Sequence, residues 1–397
     1  MRFNKIILSS LLLLATGQLA FGQDNYQMKA NTDEIEANFL SSYYNQDGNN
    51  AAVTGGVGTE ALTDAANIFV LNVPLDSTKS LSITAGADFY TSASTDNINS
   101  NVSSASAKDL RIYSNVGFNI KNLKKGETYG IKAGVSTEYD YQSVSGGLSY
   151  TKEFNEGNSE VSFTGQAFFD NWDLIFPSEL RREVSLPNSD RQSYNGQLVF
   201  SQVINKRVQM SISAEAILMK GLLSTPFHRV YFAEKTIADI ERLPNSRLKI
   251  PVGLRLNYFA TDNIILRSYY RFYSDDWGIQ AHTASLDVPI KVNPTLTVMP
   301  FYRYHTQTAA DYFAPFKAHS VNETLYTSDY DLSELSSHKI GLGVRIAPVY
   351  GLARAKFFKR GFQIKYLELR GAYYTRDTGL TGYSGSLNLG FSLNKKR

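Results

Sequence analysis

Arg255, Arg267, Arg271, Arg303 and Arg345 share one feature: each sits among aliphatic and aromatic residues that alternate with polar ones. A guanidinium stays charged at any working pH. Several of them along one wall of a water-filled passage would favour anions, because rings of Arg or Lys set anion preference in pores. Glu215, Asp287, Glu368 and Arg370 fall on the same polar phase of neighbouring segments. With them the arginines can instead form a salt-bridge and tyrosine network that stiffens a plugged interior, since buried arginines usually pair. Both readings stand at this point.

Other reactive groups are sparse. The five His (His228, His282, His305, His319 and His338) include no HxxxH or HExxH spacing, so no metal site is expected. Ser224 lies four residues before His228, but no GxSxG elbow occurs. An enzyme is therefore not expected, and an outer-membrane lipid hydrolase is the weakest of three functional readings. The acidic segment "SDYDLSE" (328–334), with Asp311 and Glu323 upstream, lacks the spaced Asp/Asn-and-Gly pattern of a calcium loop and reads as solvated. "SDDW" (274–277) reads as a turn, with Asp275 and Asp276 as turn residues. With 0 Cys there are no disulfides and no thiolate sites, and no cofactor is expected.

The elements that must hold these residues show in "LRLNYFATDNIILRSYYRFY" (254–273). Leu254, Leu256 and Tyr258 alternate with Arg255, Asn257 and Phe259, then a polar turn follows, then a second alternating run. Period two means strand. Val208, Met210, Ile212, Ala214 and Ala216 oppose Gln209, Ser211, Ser213 and Glu215 in the same way. The chain yields about sixteen such strands of about 9–14 residues, with 14 or 18 as alternatives, and that length crosses a bilayer when tilted.

The connectors sort by parity. The even-numbered ones "DST", "KNLKKG", "NEG", "NK", "TD" and "VNP" are short, while the long ones (45–66, 92–108, 173–191, 220–248 and 307–337) are all odd-numbered. An up-and-down meander puts odd and even connectors on opposite rims, as in outer-membrane barrels. Connector 348–362 is an exception, of medium length and basic. The loop 220–248 carries a short helical pattern in Ile237, Ile240 and Leu243. Tyr269, Tyr270, Phe272 and Tyr273 read as an interfacial aromatic girdle.

"MRFNKIILSSLLLLATGQLAFGQ" has a basic start, an apolar stretch and small residues before Gln23, and reads as a signal peptide over 1–22. A short periplasmic segment over 23–34 and a barrel over 35–397 are expected to follow, with both termini periplasmic. The composition fits half-polar strands, with 25 Tyr, 23 Phe and only 2 Trp. A net charge of +3 gives no case for nucleic acid.

Several segments are more specific. "GLLSTPFHRVYF" (221–232), "LPNSRLKIPVGLRLNYF" (243–259), "LRSYYRFYSDDWGIQAHTA" (266–284) and "FYRYHTQTAADYFAPF" (301–316) resemble the DUF3570 family of bacterial outer-membrane barrels, as do "AAVTGGVGTEALTDAA" (51–66) and "YTSDYDLS" (326–333). The resemblance implies the barrel and its location, and brings no substrate or catalytic residue.

The expectation is an all-β, transmembrane, antiparallel up-and-down barrel with long extracellular loops in the bacterial outer membrane. Its partners would be outer-membrane lipid, the barrel-assembly machinery during insertion, and a small polar or anionic solute. The alternative function is a plugged structural barrel that docks a periplasmic or surface partner.

Overall fold

The computed structural model describes residues 34–92, 108–174, 180, 189–357 and 360–395. The signal peptide and the N-terminal segment up to residue 33 lie outside the described residues.

Antiparallel strands form a closed barrel of 16 strands. They are β1 (Glu34–Asp47), β2 (Leu62–Pro74), β3 (Lys79–Ser92), β4 (Lys108–Asn122), β5 (Glu127–Thr137), β6 (Tyr141–Phe154), β7 (Ser159–Trp172) and β8 (Ser189–Asn205). There follow β9 (Val208–Gly221), β10 (Ser246–Phe259), β11 (Ile265–Asp275), β12 (Gln280–Asp287), β13 (Leu296–Gln307), β14 (Leu335–Ile346), β15 (Arg360–Arg376) and β16 (Thr381–Lys395). Each pairs with its sequence neighbours, and β1 closes the ring by pairing with β16 from Glu34↔Asn394 to Asp47↔Thr381. Closure is what lipid demands, because an open edge would leave backbone N–H and C=O groups without partners or water.

Side-chain phase decides what each face meets. On β10, Leu254 (42 % exposed), Leu256 (37 %) and Tyr258 (39 %) lie outside, whereas Arg247 (7 %) and Lys249 (8 %) are buried on the other phase. Val135, Val144, Leu148, Leu198, Ile340 and Leu342 extend the same exposed apolar surface around the ring. An aliphatic exterior around a polar interior is the arrangement of a transmembrane barrel of the bacterial outer membrane. The inside of β4 to β6 is small and polar, carrying Asn115, Gly134 and Ser145 in register.

The parity of connectors holds for the described ones, while connectors 92–108 and 173–191 lie largely outside the described residues. Connectors 75–78, 123–126, 155–158, 206–207 and 260–264 are tight turns on one rim, and connectors 48–61, 222–245 and 308–334 are long on the other. The medium connector after β14 has a structural reason: Ala353–Phe357 forms an extra strand that pairs with the start of β15. It continues the wall where β14 stops. In the same way Ile290–Lys291 prolongs β12 along β13.

Where two strands carry a large ring opposite glycine, the ring lies flat on the wall. A Cβ on Gly341 of β14 would come within 2.3 Å of the Phe301 ring and 2.5 Å of the Gly371 carbonyl oxygen, so only glycine fits.

Two expectations fail. Tyr269 and Tyr273 are not girdle residues. They share the interior phase with Arg271, and the Arg255 guanidinium lies 5.5 Å from the Tyr269 ring centroid. Tyr270 and Phe272 alone face outward, where Tyr270 packs on His282 of the adjacent strand. Nor is 222–245 helical. Its ordered backbone is a two-residue ladder between Arg229–Val230 and Asp239–Ile240, and Ile237 is exposed. The periodic Ile237, Ile240 and Leu243 were too few to nucleate a helix without a packing face.

Candidate pore lining and its loop cap

The wall from β10 to β15 is cationic on its inner face, and the ladder fixes its order. Arg255 stands across from Tyr269, and Arg271 from Gly253. Arg267 faces Asp287, Tyr269 faces Ser285, and Arg271 faces Thr283. Ser285 is opposite Arg303, which is opposite Lys339 on the next strand. Arg345 faces Glu368, and Arg370 follows two positions along β15.

These residues divide into two groups. Toward the short-turn rim they form a network. Arg370 reaches Glu368 at 2.7 Å and Asp287 at 3.4 Å, while Arg345 is 3.8 Å from Glu368. Arg345 also stacks 4.0 Å from the Tyr366 ring centroid. Asp287 and Glu368 thus serve as counter-ions. Glu215 does not, because its Oε1 accepts a 2.7 Å hydrogen bond from Gln197 on β8 instead.

Higher on the wall the pattern changes. Arg271, Arg303 and Lys339 have no carboxylate within ion-pair distance among the described residues. Their ladder neighbours are Gly253, Thr283, Ser285 and Tyr374, none of them acidic. Lys339 was absent from the sequence-based set, although its odd-numbered phase with Arg345 was a usable signal.

The acids lie elsewhere. Asp64 on β2 and Asp88 on β3 face inward near the long-loop rim, and Arg111 of β4 lies 3.7 Å from Asp88 and 3.9 Å from Glu138. Farther round, Arg191 pairs with Asp170 at 3.1 Å. In a ring of 16 strands, β3 and β11 are diametrically opposed. The inward acids of β2 and β3 thus lie across the ring from β10 and β11, with Arg111 beside Asp88.

The long-loop rim carries a folded cap built from connectors 48–61, 222–245 and 308–334. Val230, Phe232 and Tyr326 form a buried apolar cluster between the last two, with Phe232 edge-on to Tyr326 at 5.0 Å. A second cluster of Leu243, Trp277, Ile279, Ala310 and Leu332 joins the cap to the β11–β12 turn. Asp275 organises that turn. Its Oδ1 accepts the N–H groups of Trp277 and Ile279, and its Oδ2 accepts from Arg247 and the Tyr273 hydroxyl. This is more than the ordinary turn role expected of it.

Connector 48–61 is locked in by close approach. Gly56 has φ 87°, and a Cβ there would sit 2.8 Å from the Ser328 carbonyl oxygen. Arg229 donates to the Val53 carbonyl at 2.6 Å. At the top of β15, Arg376 holds two connectors at once, Asp331 at 2.6 Å and Glu60 at 3.5 Å. Burial raises the Glu60 carboxyl above its usual range, opposed by Arg376.

The acidic segment 328–334 is not solvated as expected. Asp329 is buried (5 %) beside His228 (3 %) and Glu241 (3 %). His228 Nδ1 lies 3.4 Å from Glu241 Oε1 and 3.8 Å from Asp329 Oδ2. Burial draws the His228 imidazole below its usual pKa, with Glu241 opposing. Burial, with Asp331 and Glu241 close by, pushes the Asp329 carboxyl well up. Sequence spacing could not find this cluster, because its members come from two loops that only the fold joins. Ser224, weighed as a nucleophile, accepts the Leu243 N–H at 2.8 Å.

A family model described as "Protein of unknown function (DUF3570)" matches residues 4–396. No curated protein matches the chain. Among solved structures, the siderophore receptor PirA from Acinetobacter baumannii is similar at 10 % identity and TM-score 0.45, over 85 % of this chain and 53 % of that one. CdiB from Acinetobacter baumannii is similar at 9 % identity and TM-score 0.47, over 89 % and 60 %. OccK1 (OpdK) from Pseudomonas aeruginosa is similar at 7 % identity and TM-score 0.41, over 91 % and 98 %. The chain spans about half the length of the first of these. Likeness at this level assigns neither solute nor partner.

Proposed function

The chain belongs to the DUF3570 family, and for this outer-membrane barrel we propose a passive channel for small anionic solutes. One observation carries the proposal: Arg271, Arg303 and Lys339 stand on three strands of one wall with no carboxylate in ion-pair reach among the described residues. A purely structural interior would pair them, because unpaired cations away from bulk water cost free energy. Water and a passing anion are the partners such a row suits.

The paired network below, Asp287–Arg370–Glu368–Arg345, would stiffen the wall without offering free charge. The cap over the long-loop rim would set the width of the mouth, since ordered loops with their own core restrict access.

The packed cap favours a second reading, a plugged barrel that docks a partner. Single-channel recording of the purified protein in planar bilayers separates the two. Discrete current steps support the channel. Silence at every voltage, with insertion verified, sinks it.

A further inference from the structure

We propose that His228, Glu241 and Asp329 form a binding site for a divalent first-row transition cation of the Zn²⁺ or Mn²⁺ class, which staples connector 222–245 to connector 308–334. The inference does not depend on whether the lumen conducts.

Geometry is the first support. One ligand atom from each residue lies within 4.8 Å of the other two, and all three side chains are buried. Zinc sits about 2.0–2.2 Å from imidazole nitrogen and carboxylate oxygen, so donors on a tetrahedral ion are about 3.4 Å apart. His228 Nδ1 to Glu241 Oε1, at 3.4 Å, already meets that spacing. Asp329 Oδ2, at 3.8 Å from the same nitrogen, needs a small inward shift.

The second support is independent. Asp329 Oδ2 is buried and has no hydrogen-bond partner among the described residues, although Asp329 Oδ1 accepts the Asp331 N–H at 2.9 Å. An unsatisfied buried carboxylate oxygen carries a desolvation penalty that a cation would remove.

The surroundings hold the donors in place. Glu241 Oε2 accepts the Thr225 N–H at 2.7 Å, and its Oε1 accepts the Thr327 hydroxyl at 2.5 Å. Outer contacts of this kind orient metal ligands. One nitrogen with two carboxylates suits a borderline cation better than Ca²⁺, which takes six to eight oxygens. Three protein donors leave a coordination position for water.

The test uses the full-length protein in detergent, stripped with a chelator and dialysed against Zn²⁺ or Mn²⁺. Elemental analysis should find one ion retained per chain. Asp329→Asn and His228→Gln should each weaken binding at least tenfold, while His282→Gln on the outer face should leave it unchanged. A wild-type protein that retains no ion, or cluster variants that bind as wild type does, overturns the proposal. If the variants fail to fold, as judged by heat-modifiable gel mobility, the wild-type protein loaded with Co²⁺ decides. Visible bands of a low-coordinate nitrogen-and-oxygen site uphold the assignment, and an aquo-ion spectrum refutes it.

Discussion

Arg303 and Lys339 stand directly opposite each other on β13 and β14, two cations sharing the interior face. Like charges in cross-strand register work against the sheet by a few tenths to about 1 kcal/mol. Replacing Lys339 with Gln should therefore leave the barrel as stable as wild type, or stabilise it by up to about 1 kcal/mol. Urea unfolding in lipid vesicles measures this. A clear loss of stability would mean that Lys339 has a favourable partner.

Glu368 should behave in the opposite way. It holds Arg370 at 2.7 Å and Arg345 at 3.8 Å. Glu368→Gln would leave Arg345 without a carboxylate and Arg370 with Asp287 alone, 3.4 Å away, at a cost of about 1–2 kcal/mol given a partly wet lumen. The contrast with Lys339→Gln in the same assay separates the structural network from the row above it.

Sidedness predicts a further asymmetry. Leu254 and Asn257 are three residues apart on β10, on opposite faces. Leu254→Arg puts a cation on the lipid side and should cost about 2–4 kcal/mol if near the midplane. Asn257→Arg adds one to the lumen opposite Arg267 and should cost no more than about 1 kcal/mol. Equal penalties would contradict the assigned faces.

The sequence revealed the wall because its signal is local. Alternation within each of Val208–Gly221 and Ser246–Phe259 is enough to say which residues share a face. Once neighbouring strands pair in order, Arg255, Arg271 and Arg303 must lie on one side. Pairing partners were less legible. Glu215 had the right phase for a counter-ion, but its nearest donor is Gln197 across β8. The aromatic character of loops 220–248 and 307–337 pointed to lids or constrictions at the mouth, or to surface recognition, but the contacts that build the cap were hidden. Its contacts, such as Arg376 with Glu60 and Asp331, join segments far apart in the chain, and no spacing rule encodes them.

That same arginine allows the cap to be loosened. Arg376→Met would remove the tie to both connectors while leaving the wall intact. Limited proteolysis should then cut within 48–61 or 308–334 several-fold faster than in wild type. Open-channel conductance should rise if the cap narrows the mouth. Unchanged proteolysis would show that the apolar clusters alone hold the loops.

The most direct test of the channel is its reversal potential under a KCl gradient. Wild-type protein in planar bilayers should show a reversal potential on the chloride side of zero. The triple variant Arg271→Gln, Arg303→Gln, Lys339→Gln should move toward the cation side with conductance preserved. A wild-type channel that prefers potassium, or a triple variant with the same reversal potential, would contradict the account.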